Sequence, residues 1–340
     1  MLTLENIEKG KNGNNEVLVV PKSEGQETLN KLKSKDLLDP DRKIKEKDNK
    51  LIFPVFQGGN FKDKSPDFKN KKLSPIQEIR KKLDIPEEHK KLLPENWEMV
   101  GDVLHLKLPE ELQGKKQKIG KAYADVLEAK TVLLQGSIGG TTRNPNVEKI
   151  YGNETETIHI ENAIKYKLDT EELMFSSGNI DERIRMAKID NKDEVIVDMF
   201  AGIGYFTLPM AVHGDPYKVY AVEINPTSHH YLRENIKINR VQDIVKTWCG
   251  DNREFKFRGA DRIIMGYLHD TWKFLPKALD ILENKGYIHY HTRCIDNGYP
   301  DAIKREIDKQ INGGYKIKEV KKVKSYAPHV YHVVVDLEIG

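Results

Sequence analysis

The chain has 340 residues, 38% hydrophobic and 32% charged, a length that predicts two or three domains with ample apolar core. Lys and Arg number 56 against 53 Asp and Glu, and the formal net charge of +3 excludes nucleic-acid binding driven by bulk charge alone. Any basic surface must be local. The two cysteines, Cys249 and Cys294, exclude a disulfide framework or a cysteine-built zinc site, so a reducing, cytoplasmic setting is expected.

Met1 to Gly10 lacks the charged-then-apolar order of a secretory signal. Val17-Leu18-Val19-Val20 predicts a strand, Glu27 to Lys35 a helix, and Leu51 to Val55 a closing strand, giving a small α+β module over 1–56. Residues 57–72 combine Gly58, Gly59 and Pro66 with lysines and little apolar content, the composition of a linker. A second α+β domain is expected over 73–185, with helical spacing from Pro75 to Leu93 and strands at Met99 to Leu108 and Thr131 to Gln135. Asp125 falls in the helix between those strands, and two more strands are expected at Thr155 to Glu161 and Ile164 to Asp169. From 186 to 340 the texture changes. Apolar runs at Val195 to Met199, Val219 to Ile224, Arg262 to Met265 and Gly286 to Tyr290 alternate with helical segments, which predicts parallel strands covered on both faces in a Rossmann-like α/β domain. The most apolar stretch, Val195 to Val212, carries Asp198, two glycines and Pro209 and so does not read as a membrane span.

The sharpest chemical signal is Asp198-Met199-Phe200-Ala201-Gly202-Ile203-Gly204, between an apolar strand and a helix-like Tyr205 to Val212. Glycines there let the backbone approach a ligand, with free N–H groups from the helix that follows. Thr207 stands where a pyrophosphate loop needs its third glycine, which argues against a simple NAD site. Glu223, at the end of the next strand, is placed to accept from both hydroxyls of a ribose, and Asp251-Asn252 after the third can read an adenine edge. Acidic groups at three successive strand ends resemble a class I S-adenosylmethionine-dependent transferase. The fourth strand runs into Gly266-Tyr267-Leu268-His269-Asp270-Thr271 rather than N/D-P-P-Y.

Longer strings carry a narrower resemblance. Asp198 to Gly204, Glu223-Ile224-Asn225-Pro226, Met265 to His269 and Ile288-His289-Tyr290-His291 are similar to the tRNA wybutosine-synthesising protein 2 family. Met174-Phe175-Ser176-Ser177-Gly178-Asn179, Glu182 to Met186 and Val323 to Pro328 fit the same family. The related archaeal-type tRNA guanine-37 N1-methyltransferases usually carry N-L-P where this chain has Gly266-Tyr267-Leu268, a departure toward the wybutosine branch. The N-terminal module, with Val20-Pro21-Lys22 and Leu37-Leu38-Asp39, looks more like the first domain of the methyltransferases.

The resemblance implies transfer of the 3-amino-3-carboxypropyl group of S-adenosylmethionine to 4-demethylwyosine at position 37 of tRNA-Phe, releasing methylthioadenosine. The alternatives are methyl transfer to guanosine 37 or a wyosine carbon, and a non-catalytic RNA-binding protein with a relic cofactor fold. On chemistry and family match together, Ser176 and Arg183 hold the cofactor tail, with a tRNA phosphate as the other reading of the Arg183 fork. Gly202 and Glu223 join Asp251 and Asn252 in binding the cofactor, and His269 is the candidate catalytic group, in a positioning role. No general base is evident from the sequence, and His269, Asp270 and Glu182 stand as candidates only. Arg183 can instead pair with Glu182 or an interface carboxylate, His269 can be a cap or core residue, and Ser176 a turn residue. His289 and His291 share a strand face without an obvious carboxylate partner, so no metal site is expected. Lysines at 81–82, 90–91, 115–121 and 316–324 are candidate phosphate contacts, none assigned. The expected partner is the tRNA-Phe anticodon region, with no membrane and a monomeric protein.

Overall fold

The computed structural model describes residues 16–56, 59–62, 73–136, 146–283, 285–295, 300–311 and 313–340. Met1 to Gly10 and most of the expected linker at 57–72 lie outside them. The chain divides into two units, Met1–Ser74 and Pro75–Gly340. In the first, β1 (Glu16–Pro21), α1 (Gly25–Ser34), β2 (Lys45–Lys47), β3 (Lys50–Pro54) and β4 (Phe61–Lys62) form a sheet of order β2-β3-β1-β4 with one helix. Asp48 and Asn49, at φ 50° and 58°, make the tight β2–β3 turn. Leu32, Leu37, Phe53 and Val55 fill its core, and the buried Arg42 donates to the carbonyls of Glu16 and Val55.

The second unit opens with α2 (Pro75–Lys82) and α3 (Glu87–Lys91). One helical run was expected over Pro75 to Leu93. Pro86 caps α3 in an extended conformation, and its missing N–H and ring exclude continuation from α2. The single strand expected over Met99 to Leu108 is a hairpin, β5 (Glu98–Val100) and β6 (Val103–Leu106), turning at Gly101 with φ 59°. With α4 (Lys116–Leu127), β7 (Thr131–Gln135) and β8 (Val147–Tyr151) it forms a sheet of order β5-β6-β7-β8. Leu104, Leu106, Val132 and Leu134 bury one face of that sheet with Ile119 and Tyr123 of α4.

The hairpin β9 (Glu156–Glu161) and β10 (Ile164–Asp169) turns through Asn162 and Ala163, both at positive φ. By sequence it was expected in the second domain. Its Ile164, Tyr166 and Leu168 instead pack in the core of the third, with Met186, Leu208 and Leu232. That domain comprises α5 (Ile180–Ala187), β11 (Val195–Asp198), α6 (Thr207–His213), β12 (Lys218–Glu223), α7 (Pro226–Ile238), β13 (Val245–Cys249) and β14 (Arg262–Met265). It continues with α8 (Leu275–Leu282), β15 (Gly286–Ile295), α9 (Asp301–Asp308), β16 (Tyr315–Ala327) and β17 (Val330–Ile339).

The seven strands run in the order β13-β12-β11-β14-β15-β17-β16. β11 to β15 are parallel, as expected. Ile196 and Ile264 face one apolar layer while Val197 and Ile263 face the other, the period-two pattern of a sheet buried on both sides. At the other end β16 and β17, which lie outside the four expected runs, extend the sheet differently, with β17 antiparallel to both β15 and β16. The edge strand β16 is mostly exposed and lysine-rich, so it has no continuous apolar run to mark it, and its charges block further strand pairing. Among the described residues no helix is long and apolar enough to cross a membrane.

Candidate functional site

The strand β11 ends on Asp198, a fully buried carboxylate that accepts from the Thr207 hydroxyl at 2.7 Å and the Phe200 N–H at 3.2 Å. Burial pushes its pKa up to about 6, with the Thr207 and Phe200 bonds pulling the other way. Asp198 therefore braces the turn from within. Gly202 and Gly204 take φ of 56° and 102°, and a Cβ on either would lie within 2.9 Å of Tyr205 or Leu208 carbons respectively. Only glycine fits both demands.

Glu223, at the end of β12, accepts the Gly202 N–H at 2.7 Å on one oxygen and the Asn225 N–H at 2.7 Å on the other. Asn225 in turn caps α7, accepting from Thr227 and Ser228 N–H groups, with Pro226 at the first helical position. The carboxylate is thereby fixed and retains lone pairs for a diol. Burial raises its pKa above the usual glutamate value. After β13, Asn252 donates its side-chain N–H to the Met199 carbonyl at 2.9 Å, while its Oδ1 is buried with no hydrogen-bond partner among the described residues. Asp251 accepts from the Arg253 N–H and guanidinium, which hold its carboxyl below the usual range. A fixed diol acceptor, a buried open acceptor and a glycine turn between them fit the ribose and adenine of S-adenosylmethionine.

Beyond β14, Tyr267 stacks on Phe200 of the turn, centroids 5.0 Å apart and planes at 10°. His269 lies half-buried between Tyr267 and Tyr326, at centroid distances of 5.7 and 6.5 Å. Arg293 fixes this strip, donating to the Leu268 carbonyl at 2.9 Å and lying over the Tyr326 ring at 5.3 Å. The Phe200–Tyr267 stack thus connects His269 to the glycine turn.

Arg183 is placed differently from the expectation. Its side chain is buried, and Nε and Nη2 each meet a Glu161 oxygen at 2.6 Å, while Nη1 donates to the Ser176 carbonyl at 2.9 Å. The fork offered to a cofactor carboxylate or phosphate is engaged by Glu161, because β9 brings that carboxylate against α5. The pairing with Glu182 does not form either: Glu182 is bound by Arg185. Arg183 positions the Ser176 segment. Ser176 itself accepts from Lys324 Nζ of β16 at 2.7 Å, and Tyr205 of the glycine turn donates to the Met174 carbonyl at 2.8 Å. Ser176, Arg183, Gly202, Glu223, Asn252 and His269 are therefore linked through direct contacts around one turn, with Asp251 adjoining.

Sequence reasoning missed Glu161, Lys324 and Asp336. Lys324 is 148 residues from Ser176, and nothing local announces the contact. Asp336 is opposite His289 in the antiparallel β15–β17 register and bonds its Nδ1 at 2.6 Å, so the expectation of no carboxylate partner is corrected. Arg262 can only donate to the other ring nitrogen, at 2.9 Å, which makes His289 the neutral Nδ1–H tautomer. Burial lowers the basicity of both His289 and His291, and His291 Nδ1 meets His332 Nε2 at 2.9 Å.

Comparison with known proteins matches the tRNA methyltransferase 5 N-terminal domain to residues 18–59 and the TYW2 N-terminal domain to 76–155. The TRM5/TYW2 methyltransferase domain matches 157–318. The tRNA(Phe) (4-demethylwyosine(37)-C(7)) aminocarboxypropyltransferase of Pyrococcus horikoshii is 47% identical over 271 residues, 78% of this chain and 96% of its own. The tRNA (guanine(37)-N(1))-methyltransferase Trm5b of Pyrococcus abyssi is 34% identical over 328 residues, 94% of this chain and 98% of its own. The crystal structure of P. horikoshii TYW2 in complex with MeSAdo matches with a TM-score of 0.71 at 43% identity, covering 78% of this chain and 97% of that one. The chain belongs to the TRM5/TYW2 family.

Proposed function

We propose that this protein transfers the 3-amino-3-carboxypropyl group of S-adenosylmethionine to C7 of 4-demethylwyosine at position 37 of tRNA-Phe, in the wybutosine pathway of the cytoplasm. The observation that carries the reading is the fixed Glu223–Gly202 pair beside the open Asn252 acceptor, in a chain 47% identical to an aminocarboxypropyltransferase over nearly all of that relative. When bound, S-adenosylmethionine supplies a sulfonium that makes each neighbouring carbon electrophilic, so the carbon held in line with the nucleophile is the one transferred. Glu223 accepts from the ribose hydroxyls, Asp251 and Asn252 receive the adenine edge, and Gly202 gives the backbone room for close approach. Ser176, oriented by Arg183 and Lys324, faces the tail. His269, held between two tyrosine rings, positions the reacting base in the anticodon region of tRNA-Phe.

Methyl transfer to guanosine 37 is the second reading. It is favoured by the match of residues 18–59 to the tRNA methyltransferase 5 N-terminal domain. Incubation with precursor-bearing tRNA and S-adenosylmethionine labelled in the carboxyl or the methyl carbon separates the two. Carboxyl label in tRNA with release of methylthioadenosine supports the first reading; methyl label with release of S-adenosylhomocysteine overturns it.

A further inference from the structure

A cleft separates the β5–β8 sheet from the chain segment leaving β10. None of the residues assigned above to cofactor or base lines it. His105 and Glu98 are opposite one another in the β5–β6 register, and Lys107 follows two residues along the same face. Gln135, from β7, adds an amide. The facing wall is apolar, with Leu173 and Phe175 buried in it.

His105 is only 8% exposed, yet its Nε2 is buried without a hydrogen-bond partner among the described residues, and the residue lines this cleft. Such a group costs stability unless a ligand or water satisfies it. The charges around it limit what that ligand can be. A lone anion would meet the Glu98 carboxylate, held in place by the Ser177 hydroxyl, and a lone cation would meet Lys107. A flat group with donors and acceptors on its edge and apolar faces satisfies all of them. The wall of the cleft adjoins the residues of the reaction site: Phe175 precedes Ser176, and the Met174 carbonyl accepts from the Tyr205 hydroxyl beside the glycine turn at 2.8 Å.

We propose that this cleft is a nucleobase subsite that takes one RNA base flanking the nucleotide being modified, with His105, Glu98 and Gln135 on its edge and the Leu173–Phe175 wall against its face. This rests on the RNA-substrate reading above. An unstacked base is what such a pocket recognises, since single-stranded loops are read by splayed bases stacked and bonded in protein pockets. It gives the enzyme a second grip beside the modified position, so that the strand is held on both sides of the reaction.

The test is a coupling experiment with the full chain and an anticodon stem-loop RNA made abasic, in turn, at each neighbour of position 37. For the wild type, one of the two abasic RNAs is expected to bind about tenfold more weakly than the intact RNA. In Gln135→Leu and His105→Phe the intact RNA should bind correspondingly weakly, and the same abasic change should then cost less than about twofold. S-adenosylmethionine affinity should be unchanged, and Gln135→Leu, at a half-buried strand end, keeps the test valid if His105→Phe does not fold. An abasic penalty that persists in full in Gln135→Leu overturns the subsite, as does an equal response to both abasic positions. Carboxyl-label transfer to intact tRNA reports separately on the proposed function, so intact transfer without coupling removes the subsite alone. Failure of the wild type to bind any of the RNAs overturns both.

Discussion

Arg183 and Glu161 form a bidentate ion pair, Nε and Nη2 each 2.6 Å from a carboxylate oxygen, with both side chains almost completely buried. It joins the β9–β10 hairpin to the helix that leads into the catalytic sheet, and the third guanidinium nitrogen holds the Ser176 carbonyl. Removing one partner of a buried pair leaves an uncompensated charge. Glu161→Ala should therefore destabilise the second unit by about 3 kcal/mol in denaturant unfolding. Arg183→Lys should cost nearly as much, since an ammonium cannot span both oxygens. A loss under about 1 kcal/mol for both would show that the pair is not the brace described.

Glu223→Ala should weaken S-adenosylmethionine binding by at least about tenfold, because a charged acceptor for the ribose hydroxyls is lost. tRNA affinity should change less than about twofold. Equal loss of both, measured by equilibrium binding, would count against the ribose role.

Asp198 gives a pH signature of definite sign. Its carboxyl is protonated from about pH 6 in the folded chain and ordinarily only from 3.8, so the folded state binds more protons between these values. This group's contribution to stability is therefore largest below pH 4 and is lost as pH rises through 6, a difference of about 3 kcal/mol. Asp198→Asn should abolish that contribution, read as the difference between wild-type and variant unfolding profiles from pH 7 to 4.5. Parallel profiles would show that the carboxyl does not titrate in this window.

The histidines on β15 act in the opposite direction. Burial first, then the neighbouring His332 and His289, hold His291 well below its ordinary basicity. The unfolded chain binds the extra proton, so this stability is present above pH 6.5 and falls as the medium is acidified. His291→Phe, placed against Phe206 at 4.9 Å from the native ring, should flatten the fall in Tm between pH 6.5 and 5. An unchanged slope would assign the acid sensitivity elsewhere.

For His269, held between Tyr267 and Tyr326, a positioning role predicts a specific kinetic pattern. His269→Gln should lower kcat between about tenfold and a hundredfold while the shape of the pH–rate profile is retained. Disappearance of one limb of that profile would instead make the imidazole the proton acceptor.

The sequence by itself determined the strands β11, β12 and β14, the glycine turn and the acidic strand ends, because each is a local pattern of burial or of backbone freedom. Gly202 and Glu223 were each legible as ligand-side residues, and their hydrogen bond follows from adjacent parallel strands that bring their carboxyl ends together. Tertiary structure alone decided the fate of Arg183, whose charge is satisfied by a carboxylate on a preceding hairpin rather than by a neighbour on its helix. It also decided that Lys324 of β16 reaches Ser176, 148 residues away in the chain, and that the antiparallel β15–β17 register sets Asp336 against His289. Such pairings arise when long-range packing excludes water from a charge, and that demand is written in the fold, not in the spacing of residues along the chain.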